Sequence, residues 1–347
     1  MTGTKIYNEV TVAFDEIPDP GEMMKIADGV YWIRMPMPFV LDHINIVAIE
    51  DGDGWAILDT GLEQPETVKL WRALMAGPLM GRPITKVIIT HMHPDHIGMA
   101  GWLTRRFDCR LWISRLEYLT CRTLMADTMR QAPQAGISFY TEAGWDKDQI
   151  EDYQTKFGNF GKFIHPMPDS FRRISEGDKI TIGGREWQVL VGAGHSPEHA
   201  CLYCPELKIF LSGDQVIPRI SSNISVFPTE PDANPMLDWL KSLHHIRDSI
   251  PDDVLVVPSH KTCFYGLHHR VEELLAEHHG DFAKLKAALD KPKRAVDVFE
   301  FLFSREIGMD LLNMATGEAI ADLNYLIAQG EVTRTVDDNG VAWYSQA

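Results

Sequence analysis

Between His91 and His96 the chain reads His-Met-His-Pro-Asp-His, three imidazoles and one carboxylate in six positions. Imidazole nitrogen and carboxylate oxygen are the donors that zinc and other borderline divalent cations accept. His91 and His93 are two apart, so in an extended loop both project to the same side. Asp95 and His96 open the next helix and can face a second centre nearby. A lone His-x-His would be read as a chance cluster on a surface loop. His-x-His-x-Asp-His directly behind an apolar strand is a motif with a mechanism.

Four further residues repeat the same placement. Asp59 in LDTG follows the strand expected at 55–58, and His195 in GAGHSPEH follows that at 187–191. Asp214 in SGDQ follows 209–211, and His260 in PSHK follows 254–257. In layered α/β structures, strand ends along one edge of the core form the natural site.

Periodicity outlines the elements that must carry these residues. Strands are expected at 30–35, 44–49 and, after the turn signal Asp51-Gly-Asp-Gly54, at 55–58. A helix fits 65–76, with Val68, Trp71, Leu74 and Met75 on its apolar stripe. The strand 87–90 and a helix at 95–107 flank the histidine motif. Residues 110–170 form a Met- and aromatic-rich insertion, either a packing subdomain or a lid and pocket wall. Strands resume at 179–182, 187–191, 200–203 and 209–211. Asn234-Pro235 marks a helix start, with Asn as cap and Pro at the first helical position. Beyond about residue 267, helical pattern covers 268–289, 295–303 and 314–328. A hairpin then turns at Asn339-Gly340, giving a winged-helix-like pattern. The expected division is a catalytic domain at 1–267 and a C-terminal domain at 268–347.

Composition narrows the function. The 347 residues are 45% hydrophobic and 24% charged, ordinary for a globular protein with a sizeable core. The net charge of −16 disfavours polyanionic partners, and the short basic pairs at 105–106 and 172–173 read as solvated faces. Five scattered cysteines do not form a disulfide framework, and the Cys201-x-x-Cys204 pair reads as reduced and semi-buried. Residues 1–20 lack a basic head followed by an apolar run, and no stretch approaches about 18 uninterrupted apolar residues. The expectation is a cytoplasmic protein with no membrane span.

In their order, LDTG, THMHPDH, GHSPEH, SGD and PSH resemble the metallo-β-lactamase superfamily over roughly residues 29–266. Within it the chain looks closest to the hydroxyacylglutathione hydrolase (glyoxalase II) and lactamase-beta-like branch. The resemblance implies an αββα four-layer sandwich with a helical insertion, the last 80 residues being the winged-helix-like appendage of lactamase-beta-like members. It also implies two metal ions, zinc first, with iron or manganese as alternatives. His91, His93 and His195 would hold the first ion, and Asp95, His96 and His260 the second, with Asp214 between them. Asp59 would act from behind a ligand or on the attacking water, and His199 would stand beside the ligands. Asp95 and Asp59 are the candidate catalytic carboxylates.

The resemblance implies hydrolysis by a metal-bridging hydroxide acting on a small thioester, ester or lactone. No Gly-x-Ser-x-Gly or Walker-type loop competes. The insertion and the missing basic cluster for glutathione depart from the glyoxalase pattern. The alternative is a ribonuclease or phosphodiesterase of the same superfamily. From residue 268 on, eight Lys/Arg stand against fourteen Asp/Glu, a charge of −6 that disfavours nucleic acid. A metal-binding protein without activity, an exported β-lactamase and a di-iron redox protein fit less well. The expected partners are a small-molecule substrate and a second copy in a homodimer.

Overall fold

The computed structural model describes residues 6–7 and 10–347. Residues 1–5 and 8–9, on which part of the leader reading rests, lie outside the described residues.

Two sheets face one another. The first runs Met23–Ala27, Val30–Pro36, His43–Asp51, Gly54–Leu58, Ile84–Ile88, Arg110–Ile113 and Arg172–Arg173 from edge to edge. Its pairing is antiparallel up to Gly54–Leu58 and parallel beyond. The second runs Ile6–Tyr7, Val10–Val12, Phe264–Tyr265, Leu255–Pro258, Ile209–Gly213, His199–Cys204, Arg185–Gly192 and Lys179–Ile182.

Side-chain alternation along the strands produces the layers. In His43–Asp51, Ile44, Ile46 and Ala48 pack with Trp71, Leu74 and Leu103 of the outer helices. Val47 and Ile49 point the other way, into Trp187, Val189, Leu202 and Leu211 of the second sheet. The far face of that sheet, through Phe210 and Val256, meets Trp239, Leu243 and Val271 of the helices Pro235–Ser249 and Leu267–Ala288. The result is helices, sheet, sheet, helices, the four-layer αββα sandwich anticipated from the sequence.

Local differences have local causes. The helix expected at 95–107 is two pieces, Pro94–Ile97 and Ala100–Phe107. The 61–63 loop crowds the joint, and a Cβ on Gly98 would lie 2.5 Å from the Gly61 carbonyl oxygen. The strand expected at 87–90 is Ile84–Ile88, because the Thr90 N–H leaves the ladder to bond Asp59 Oδ1 at 2.9 Å. The helix expected at 295–303 is a 3₁₀ turn, Ala295–Val298, followed by one helical turn, Phe299–Leu302.

The insertion divides in two. Helix Arg115–Ala126 lies against the first sheet, with Tyr118 and Cys121 in its outer core. Helices Gln134–Glu142 and Lys147–Lys156 dock instead on the C-terminal part. Trp145 stacks on Tyr140 at 4.1 Å and donates its indole N–H to Thr316 Oγ1 at 2.9 Å. The chain ends in helix Leu312–Ala328 and the hairpin Val332–Val336 with Ala342–Gln346. Asp337 Oδ1 accepts the N–H groups of Asn339 and Val341 and so closes the turn. All five cysteines are free, and Cys201 and Cys204 are buried on one strand. No described helix is long and apolar enough to cross a membrane.

Candidate metal centre

Every residue singled out at a strand end comes to one edge of the sandwich. The first sheet supplies Asp59 after Gly54–Leu58, and His91, His93, Asp95 and His96 after Ile84–Ile88. The second supplies His195, Asp214 and His260 after Arg185–Gly192, Ile209–Gly213 and Leu255–Pro258. Donor atoms fall into groups within 4.8 Å of one another: His91 with His93 and His195, His91 with His96 and Asp214, and Asp95 with His96 and His260. His91 Nε2 is 2.8 Å from His93 Nδ1 and 3.3 Å from His195 Nε2. His96 Nε2 and His260 Nε2 each lie 3.4 Å from Asp95 Oδ2. Asp214 Oδ2 sits between the groups, 3.4 Å from His195 Nε2, 3.5 Å from His260 Nε2 and 3.6 Å from His96 Nε2.

The outward ring nitrogens of His96, His195 and His260 are each engaged, which fixes the tautomer and aims the other nitrogen inward. His96 Nδ1–H donates to Asp59 Oδ2 at 2.8 Å. His195 Nδ1–H donates to the Asn223 carbonyl at 2.8 Å, and His260 Nδ1–H to the His43 carbonyl at 2.9 Å. Asp59 holds a left-handed backbone with φ 60°, which turns its carboxylate back under the motif. There it also accepts from the Thr90 hydroxyl. His199, fully buried, stacks on His91 with ring centres 4.8 Å apart and accepts the Asp214 N–H at Nε2.

Charge at the centre is unevenly shared. Burial depresses His91, and the imidazoles of His96, His93 and His199 depress it further. Burial and His195 take His93 down to about 3. Burial also opposes protonation of His96 and His260, but the surrounding carboxylates outweigh it and push His260 up to about 10. Burial would raise Asp95 and Asp214, yet His96 and His260 hold both well below the usual carboxylate range.

Several supporting residues carried no motif. Glu117 is fully buried and takes the Met92 N–H at 2.9 Å on one oxygen and the Glu198 N–H at 2.7 Å on the other. Asn45 accepts the Trp32 indole N–H and donates to the Pro258 and Lys261 carbonyls, which sets the chain around His260. An acid in a first helical turn reads as a dipole partner, so Glu117 had no signal beyond that.

Residues 40–260 match the family described as the metallo-beta-lactamase superfamily, and residues 282–347 match that described as "Metallo-beta-lactamase-like, C-terminal domain". "Probable metallo-hydrolase YqjP" of Bacillus subtilis is 24% identical, over 90% of this chain and 97% of its own. "Acyl-coenzyme A thioesterase MBLAC2" of Gallus gallus is 26% identical, over 55% of this chain and 64% of its own. A solved "Beta-lactamase domain protein from Burkholderia ambifaria" superposes with a TM-score of 0.89 at 35% identity, covering 98% of each chain.

Proposed function

This chain belongs to the metallo-beta-lactamase superfamily and is a hydrolase of that lineage, and we propose that it uses two metal ions to cleave a small thioester, ester or lactone. The observation that carries the reading is Asp214 Oδ2, within 3.4–3.6 Å of imidazoles from both donor groups. The donor set fits such a pair. His96 Nε2 and Asp214 Oδ1 are buried without a hydrogen-bond partner, which is costly unless something further is bound. His91, His93 and His195 would hold one ion, Asp95, His96 and His260 the other, and Asp214 both. Zinc suits this set best, with iron or manganese as alternatives.

When bound, the two ions supply an acidified water and an electrophile for the substrate oxygen. The chain's own groups do the rest. Asp59 and the carbonyls of Asn223 and His43 keep the imidazoles aimed. Asp95 has a side chain 18% exposed, against 9% for Asp214 and 1% for Asp59. It is therefore the carboxylate within reach of an incoming water and orients it. Leu116 and Leu119 are exposed at the start of the insertion, and Leu116 N–H bonds Glu198 of the ligand-bearing loop at 2.8 Å. They form the wall against which an apolar acyl group rests. A thiolate leaves without a proton donor more readily than an alkoxide, since thiols ionise near pH 8.5. That and the thioesterase named among the relatives favour a thioester. The hydroxyacylglutathione hydrolase-like branch, a winged-helix C-terminal domain from residue 268, a homodimer and a cytoplasmic location belong to the same proposal.

The test is metal analysis followed by a panel of acyl thioesters, lactones, phosphodiesters and RNA. Thioester or lactone hydrolysis that chelation removes and zinc restores supports the reading. Turnover of only RNA or phosphodiesters would replace it.

A further inference from the structure

Behind the loop that carries Asp214 lies a cavity of about 110 Å³, between the helices Leu267–Ala288 and Leu312–Ala328. Its polar side holds Ser221, Ser222 and His278 together with three carboxyl groups: Glu318 and Asp322, one turn apart, and Asp281 from the facing helix, one oxygen of which pairs with Lys284 at 2.7 Å. Its apolar side includes Ile224, Met236 and Phe303. Asp322 is only 7% exposed, and its Oδ1 has no hydrogen-bond partner. No Lys or Arg stands among the lining residues. A buried carboxyl oxygen without a partner, facing a cavity that no Lys or Arg lines, is an arrangement that folding alone disfavours.

We propose that this cavity binds a small organic ammonium group, held by Glu318, Asp322 and Asp281 with its alkyl part against Ile224, Met236 and Phe303. A bare metal ion fits less well. Among the described residues, the sets of three donors within 4.8 Å all belong to the centre described above. Charge supports an organic cation. Burial, with Asp281 adding to it, lifts Glu318 to about 7, and burial with Glu318 and Asp281 raises Asp322 further above its ordinary value. A cation among these groups offsets their mutual repulsion. The cavity also touches the metal centre through two consecutive residues. Ser222, in its wall, donates its hydroxyl to the Asp214 carbonyl at 2.5 Å, and the next residue, Asn223, accepts from His195.

The experiment is calorimetric titration of the metal-loaded protein with propylammonium and with uncharged 1-butanol. Saturable binding of propylammonium, weakened about tenfold or more in Glu318→Gln and in Asp322→Asn at unchanged metal content, is the expected result. No saturable binding, equal binding of the alcohol, or full affinity in both variants would overturn the proposal. The comparison of charged and uncharged ligand uses the unaltered protein, so it stands even if a variant fails to fold. A kinetic arm separates two sources of the ammonium, and that arm alone rests on the hydrolase reading. Competition by propylammonium marks the group as part of the substrate, whereas a change in kcat, or no change, marks a separate ligand.

Discussion

Glu117 Oε2 accepts the Met92 N–H at 2.9 Å, between the first two histidines of the metal motif. Its other oxygen takes the Glu198 N–H, four residues before which stands Gly194 and three before which stands His195. One carboxylate from the insertion thus ties together the two loops that supply His91, His93 and His195. In Glu117→Gln, one backbone N–H keeps an acceptor and the other faces an amide N–H. Stability should fall by about 1–3 kcal/mol, read from urea melts. Metal occupancy should fall with it. Unchanged occupancy would mean that the loops hold their shape without the brace.

Asp214→Asn and His93→Ala should each lower bound metal and hydrolysis together, since Asp214 faces both donor groups and His93 belongs to one. Elemental analysis beside a rate assay is sufficient. A metal-free variant that retains its rate would remove the proposed mechanism.

Asp59→Asn should act on one ion more than the other. The carboxylate of Asp59 orients His96 alone among the imidazoles it bonds. Loss of such an outer contact typically weakens metal affinity by about 10–100-fold. Titration with zinc should therefore resolve one tight and one weakened site. Two equally weakened sites would argue that Asp59 supports the whole loop rather than His96.

His278 gives a pH dependence outside the metal centre. Its Nε2 accepts the Trp239 indole N–H at 3.0 Å, and burial lowers its pKa to about 4. The folded protein binds this proton less readily than the unfolded chain, whose imidazole titrates near 6.5. The contribution to stability is thus full above pH about 6.5 and shrinks as pH falls toward 4. The difference in urea midpoint between the parent and His278→Gln should narrow or reverse over that interval. A constant difference would show that His278 does not titrate there.

Trp145→Ala should cost about 3–5 kcal/mol, the usual loss for a truncated buried aromatic, while metal content stays intact. Trp145 joins the insertion to Thr316 and lies in the core shared with the C-terminal helices. Loss of metal in this variant would show that docking of the insertion shapes the centre.

Much of this was legible because strands and ligands carry local patterns. The helix Pro65–Ala76 and the capped start at Asn234 follow directly from apolar spacing and cap chemistry, and Asn234 Oδ1 does accept the Leu237 N–H at 3.1 Å. The ligand candidates were visible because each sits just past an apolar strand. What escaped notice depends on contacts between distant segments. The helix breaks after Gly98 because the Met99 N–H bonds the Gly61 carbonyl at 3.0 Å, and residue 61 arrives there from another loop. Glu117 and Asn45 bond backbone groups 25 to 216 positions away. The insertion likewise read as one unit, whereas Tyr118, Cys121, Ile164 and Met167 on its flanks bury themselves against the first sheet and Phe139, Tyr140 and Trp145 in its middle against the C-terminal part.

The donors at the metal centre are divided between the two sheets, with His91, His93, Asp95 and His96 on one and His195, Asp214 and His260 on the other. The centre is therefore a clasp across the seam of the sandwich. A strand slipped by one residue would turn its side chains to the opposite face and leave the clasp unable to close. Cations that bind only the closed form draw the population toward the correctly assembled protein. Metal uptake during refolding would then report when the two halves have met in register, before any substrate is turned over.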